Sequence, residues 1–156
     1  MATSITSAPL VVKITESCTL NGKQHGGTIT KTISGVNEIT KRIVSVTDTE
    51  SILLEFADAG ASGDNVLKYD LQNVKYVRIT NLESTEVTLG IKGTGNTVSS
   101  HILPGGASWM LFDLENSFAV VDDATATPTA NIDIVELRAD ASTGTVDLEV
   151  VVASIN

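Results

Sequence analysis

Cysteine is almost missing. Cys18 stands alone in 156 residues, so no intrachain disulfide can staple the fold. It reads as a small buried hydrophobe, because a reactive thiol needs a cation beside it and Lys13 and His25 are poor candidates. Histidine is scarce as well. His25 and His101, with one cysteine, give no zinc or transition-metal spacing. Aromatic residues make up only 4% of the chain, so the core must be mostly aliphatic and few rings remain for a carbohydrate cleft. Ten lysines and arginines face nineteen acids, a net charge of −9. Nucleic-acid binding by phosphate neutralisation needs a basic patch, which these scattered cations do not supply. The same balance argues against an anionic membrane surface. No apolar run approaches the roughly 18 residues of a membrane span. The start Met-Ala-Thr-Ser-Ile-Thr-Ser-Ala-Pro lacks the basic and apolar segments of a secretory leader, so assembly in a cytoplasm is expected.

What is abundant is β-branched. Threonine, valine and isoleucine number 20, 17 and 13, together 50 residues. Such side chains fit a pleated surface better than a helix. Period-two alternation recurs along the chain. Val77 and Ile79 alternate with Tyr76, Arg78 and Thr80. Val87, Leu89 and Ile91 alternate with Thr88 and Gly90, and the polar stretch Asn81 to Glu86 between them predicts a hairpin. Val146, Leu148, Val150 and Val152 alternate with Asp147 and Glu149.

The chain divides into a flexible arm over residues 1–9, closed by Pro9, and a single β domain over 10–156. Leu10 to Leu20 reads as a strand with Val12, Ile14, Cys18 and Leu20 facing inward. Asn21-Gly22 is a strong turn signal. Thr28 to Ser34 reads as half-buried through Ile29 and Ile33. Arg42 to Thr47 puts Ile43 on one face and Val44 and Val46 on the other, and Ser51 to Phe56 suits a central strand. Asp58 to Asn65 is a polar loop, and Asn65 to Gln72 fits a short helix or a loop equally. Strands then follow at Val98 to Leu103, Ala107 to Asp113, Ser117 to Val121, Ile132 to Arg138 and Val146 to Val152. A loop spans Asp122 to Asn131. This rhythm of about nine or ten short strands indicates an all-β fold, an antiparallel β-sandwich or a jelly roll.

Catalytic and ligand patterns are weak throughout. Asp58, Ser62 and Gly63 match three positions of a calcium loop, but Gly60 and Tyr69 fail two others. Asp122-Asp123 reads as solvated loop charge, with an ion at a subunit contact as the alternative. Gly90-Ile-Lys-Gly-Thr-Gly95 lies between strands, with no helix to complete a phosphate site. No nucleophile elbow is present, and His101 reads as a partly buried strand residue. Neither catalytic residues nor cofactors are assigned. Trp109 is either core filler beside Met110, Leu111 and Phe112 or an interface anchor. The residues picked out as a candidate interface are Tyr76, Arg78, Trp109 and Met110.

Three runs carry a resemblance. Lys75-Tyr-Val-Arg-Ile-Thr-Asn-Leu, Val87-Thr-Leu-Gly-Ile and Leu103-Pro-Gly-Gly-Ala-Ser-Trp-Met-Leu resemble small structural proteins of tailed bacteriophages, notably those of marine bacteria and cyanobacteria. Val36-Asn-Glu-Ile-Thr-Lys-Arg-Ile-Val fits the same pattern, and the resemblance spans roughly residues 10–120. It implies a virion component and no enzyme. The best-fitting role is a head decoration, or cement, protein on the outer head surface, with the major capsid protein as partner and a homo-oligomer, dimer or trimer, as the natural form. The alternatives are a tail, baseplate or fibre-associated β-domain that adheres to a host, or a small enzyme on a jelly roll.

Overall fold

The computed structural model describes residues 6–56, 68–70, 72–93, 98–112 and 134–155. All the regular structure there is β, and no described residue is helical. The strands are β1 (Ala8–Thr15), β2 (Cys18–Leu20), β3 (Lys23–His25), β4 (Thr28–Val36), β5 (Glu38–Val46), β6 (Ser51–Phe56) and β7 (Lys68–Tyr69). They continue as β8 (Val74–Asn81), β9 (Val87–Gly93), β10 (Val98–Leu103), β11 (Ser108–Phe112), β12 (Ile134–Ala141) and β13 (Val146–Ser154). Thirteen strands exceed the nine or ten expected, because the N-terminal hairpin is cut into four pieces and β7 is a two-residue addition. The expected loops at 58–65 and 122–131 and the strand at 117–121 lie outside the described residues.

Two sheets face each other. One has the order β11-β8-β13-β5 and the other β10-β9-β12-β6-β7. The pairs β5·β13, β6·β12, β8·β11 and β9·β10 are nested antiparallel pairs, each lying inside the previous one in sequence. This is one long hairpin rolled up, which is a jelly roll. Only β7 departs from the antiparallel pattern, pairing parallel with β6.

The rolling corrects one expectation. β8 and β9 do not form a hairpin: they lie in opposite sheets, and Leu82 to Glu86 arches between them. The alternation is real, but both strands turn their apolar rows toward the space between the sheets. β12 and β13 are joined by the same kind of arch.

The main core fills that space. Val77 and Ile79 of β8, Val87, Leu89 and Ile91 of β9, and Val146, Leu148, Val150 and Val152 of β13 all meet there. Each such side chain contributes on the order of 1.5–3 kcal/mol by leaving water. The successive residues Leu53 and Leu54 are both fully buried. A β-bulge explains this: Ile52 pairs with Arg138 and Leu54 with Leu137, so Leu53 has no partner on β12.

A second, smaller core lies on the outer face of the four-stranded sheet. There β1 and β4 form a two-stranded ribbon. Ile33 and Val36, with Leu10 and Val12, pack on Tyr76, Phe112, Val151 and Ala153. Beyond this root the ribbon leaves the body. Every residue from Thr15 to Thr32 is exposed. Cys18, Leu20 and Ile29, expected to face inward, are therefore on the surface. Their alternation marks a ribbon with one apolar face and no sheet beneath it. Pro9 lies inside β1, and Glu16-Ser17 interrupts the strand expected over Leu10 to Leu20. At the tip, Leu20 pairs with Lys23 across a two-residue turn in which Asn21 and Gly22 have φ of 51° and 74°. Those positive values define the primed hairpin turn that Asn-Gly favours.

Candidate interface

The outer face of the four-stranded sheet brings together most of the residues picked out from the sequence. Register places side chains in rows across the strands. Ile39, Ala153, Tyr76 and Phe112 form one row. Lys41, Val151, Arg78 and Met110 form the next, followed by Ile43, Glu149, Thr80 and Ser108. Tyr76, Arg78 and Met110 thus share a face. Trp109 does not. It stands opposite Ile79, half-buried, and packs against the main core.

Tyr76 is not available on that face either. It is 6% exposed, sealed by the ribbon root, with its ring 5.5 Å from that of Phe112. Burial pushes its hydroxyl pKa up, opposed by the Arg78 charge. The open part of the face holds Arg78 and Met110, both half-buried, beside the exposed Ile39 and Ile43. An ion network crosses it. Glu149 accepts from Lys41 at 2.7 Å and from Arg78 on its other side. The Lys41 hydrogen bond, opposed by burial and reinforced by both positive charges, holds the Glu149 carboxyl below its ordinary value. The face is therefore a mixed surface, with isoleucines at its β5 border and a satisfied charge network at its centre.

The opposite sheet is different in kind. Its outer face carries a ladder of ion pairs. Lys68 meets Glu55 at 3.4 Å and Lys92 meets Glu136 at 3.3 Å. Arg138 bridges Glu136 and Glu50. Alternating charge of this kind keeps a sheet face solvated and contributes little stability per pair.

One polar residue expected in a hairpin loop has a different role. Asn81 is fully buried at the end of β8. Its side-chain amide donates to the Thr85 carbonyl at 2.7 Å and the Leu103 carbonyl at 3.2 Å, and its side-chain oxygen accepts from the Glu83 N–H at 3.0 Å. It pins the β8–β9 arch to the end of β10. The role is architectural, and the only sequence signal is an asparagine at a strand end.

His101 is exposed, not partly buried. Its ring nitrogen lies 3.4 Å from the Ser99 hydroxyl, two residues away on the edge strand β10. No group of three or more His, Cys, Asp or Glu side chains among the described residues is placed to hold a metal. Gly90 to Gly93 lies within β9, so that glycine pattern belongs to a strand. No protein-family model matches this chain, and no curated protein is significantly similar to it.

Proposed function

We propose that this chain is a virion structural protein of a tailed phage, a decoration protein on the outer surface of the head. The resemblance of residues 10–120 to such proteins is one support. The observation that carries the reading furthest is the ribbon. A closed jelly-roll body extends eighteen consecutive exposed residues, Thr15 to Thr32, away from itself. An isolated two-stranded ribbon is marginally stable in water, so a projection of this kind serves contact with another molecule. A decoration protein binds the assembled shell and not its free subunits, and it stabilises the shell by mass action. Many copies multiply a modest contact. The acidic composition suits an outward face more than a DNA-facing one.

The test is the stoichiometry of this chain against the major capsid protein in purified virions. A ratio near a simple fraction of the shell lattice is expected. A few copies per particle, or labelling of the tail tip instead of intact heads by antibodies to the chain, would move it to the tail. Absence from virions would overturn the reading.

A further inference from the structure

Charge is split between ribbon and body. Residues 8–36 hold Lys13, Lys23 and Lys31 against Glu16, a net of +2. The whole chain is −9, so the rest carries −11. A basic ribbon on an acidic body suits contact with another acidic body.

The ribbon has an apolar face to offer. Facing residues of β1 and β4 share a side, which places Leu10 with Ile33, Val12 with Lys31, and Ile14 with Ile29 on one face. The first of these pairs and Val12 sit on the chain's own sheet. The Ile14–Ile29 pair continues the same face past the body, and Ile29 is 66% exposed. From Lys13 to the Asn21 turn the ribbon reaches at most about 26 Å at roughly 3.3 Å per residue.

The acidic counterpart lies at the other end of the sandwich. Four connections meet there: 47–50, 82–86, 104–107 and 142–145. Ala141 N–H donates to the Thr47 carbonyl at 2.9 Å, Ser142 N–H to Glu86 at 3.2 Å, and Gly106 N–H to Asn81 at 3.1 Å. These connections hold Asp48, Glu50, Glu83 and Glu86 and no lysine or arginine. Arg138 engages Glu50, whereas Asp48, Glu83 and Glu86 have no ion-pair partner among the described residues. Leu82, 47% exposed, supplies an apolar contact among them. The ribbon roots at the opposite end, over Tyr76 near the start of β8 and Ala153 near the end of β13.

We propose that the ribbon of one copy seats on the acidic loop end of a second copy, head to tail. Lys23 at the ribbon tip faces Glu83 and Glu86 of the neighbour, its exposed cross-strand partner Leu20 covers the neighbour's Leu82, and Lys13 adds positive charge nearer the root. Such a heterologous contact closes into a ring where the rotation permits and otherwise grows. It is a property of the purified chain and needs no capsid.

The test is sedimentation velocity on the full-length chain and three charge variants, with circular dichroism confirming the fold of each. Wild type is expected to self-associate at low salt and to dissociate toward monomer near about 1 M salt, where exposed charges are screened. K13E/K23E and E83K/E86K, all exposed positions, are each expected to weaken association about tenfold or more. A chain carrying all four substitutions restores the complementarity and is expected to associate again. A wild type monomeric at every attainable concentration, association unchanged in either double variant, or a four-fold variant that stays monomeric would each overturn the proposal.

Discussion

The guanidinium of Arg42, on β5, donates across the sandwich to the backbone carbonyl of Leu53, on β6 of the opposite sheet. The β-bulge leaves Leu53 without a partner on β12, and Arg42 supplies a donor. Removing that donor takes a partner from the Leu53 carbonyl, a loss of about 1–3 kcal/mol at most, partly offset because the buried Arg42 Nε has no hydrogen-bond partner among the described residues. Arg42→Met keeps the apolar stem and loses the donor. It is expected to lower the midpoint of urea unfolding without changing the slope.

Asn81 offers a sharper case. Its side chain makes three hydrogen bonds from a fully buried position. Asn81→Ala is expected to destabilise by about 2–4 kcal/mol, since several groups lose partners together. Asn81→Asp exchanges two donors for acceptors that face carbonyl oxygens, and is expected to be worse near neutral pH. Thermal unfolding of the two variants across pH checks the order. The gap should narrow as acid protonates the aspartate.

Glu149 sets a pH dependence. Its folded pKa lies below the ordinary 4.5, with the Lys41 hydrogen bond the largest cause. A depressed carboxylate binds fewer protons when folded, so its stabilisation is complete above the ordinary value and is lost as pH falls through the folded one. Glu149→Gln is expected to be less stable than wild type at pH 7 and to show a flatter decline below about pH 4.5. Denaturant midpoints measured from pH 7 to pH 2 decide it. Parallel curves would show that the network adds nothing.

Two glycines with different surroundings predict opposite outcomes. A Cβ on Gly105 would lie 2.6 Å from the Glu83 carbonyl oxygen, against backbone that cannot step aside. A Cβ on Gly27 meets nothing within 4 Å. Gly105→Ala is expected to destabilise by about 1–3 kcal/mol through overpacking. Gly27→Ala should be neutral or stabilising by up to about 1 kcal/mol, through reduced freedom of the unfolded chain. Side-by-side thermal melts test the contrast.

Cys18 is exposed on the ribbon. The native protein is expected to react with a thiol reagent as fast as an unfolded control, and Cys18→Ser should shift stability by no more than about 0.5 kcal/mol. Protection of the thiol in concentrated, low-salt protein and its loss in high salt would be a second reading of ribbon docking.

The sequence made the strands legible where one face is buried and the other solvated. β13 shows this cleanly through Val146 to Val152, and β10 and β11 fall where the pattern put them. It misled wherever the destination of a strand depends on distant chain. Leu82 to Glu86 has the polarity of a hairpin loop, and nothing local distinguishes an arch from a hairpin. Cys18 and Ile29 alternate as inward residues do, but whether a sheet lies beneath them is decided elsewhere. The candidate interface divided for the same reason. Trp109 and Met110 are adjacent in sequence and therefore lie on opposite faces of a strand. Tyr76 became inaccessible only because the ribbon lies over it. Asn81 opens a polar stretch and so reads as a turn residue, and nothing local marks it as buried.

The position of β13 between β8 and β5 has a consequence for synthesis. Of the described strands, the last to leave the ribosome is a central one in its sheet. β5 must wait for a partner about a hundred residues downstream, and loop closure over that distance slows the pairing. The ribbon can zip as soon as His25 to Val36 emerges. The body cannot seal until Ser154 does. During that interval the inner rows of β5 and β8 stand open, which gives a chaperone its window and makes a chain stalled before β13 a candidate for aggregation.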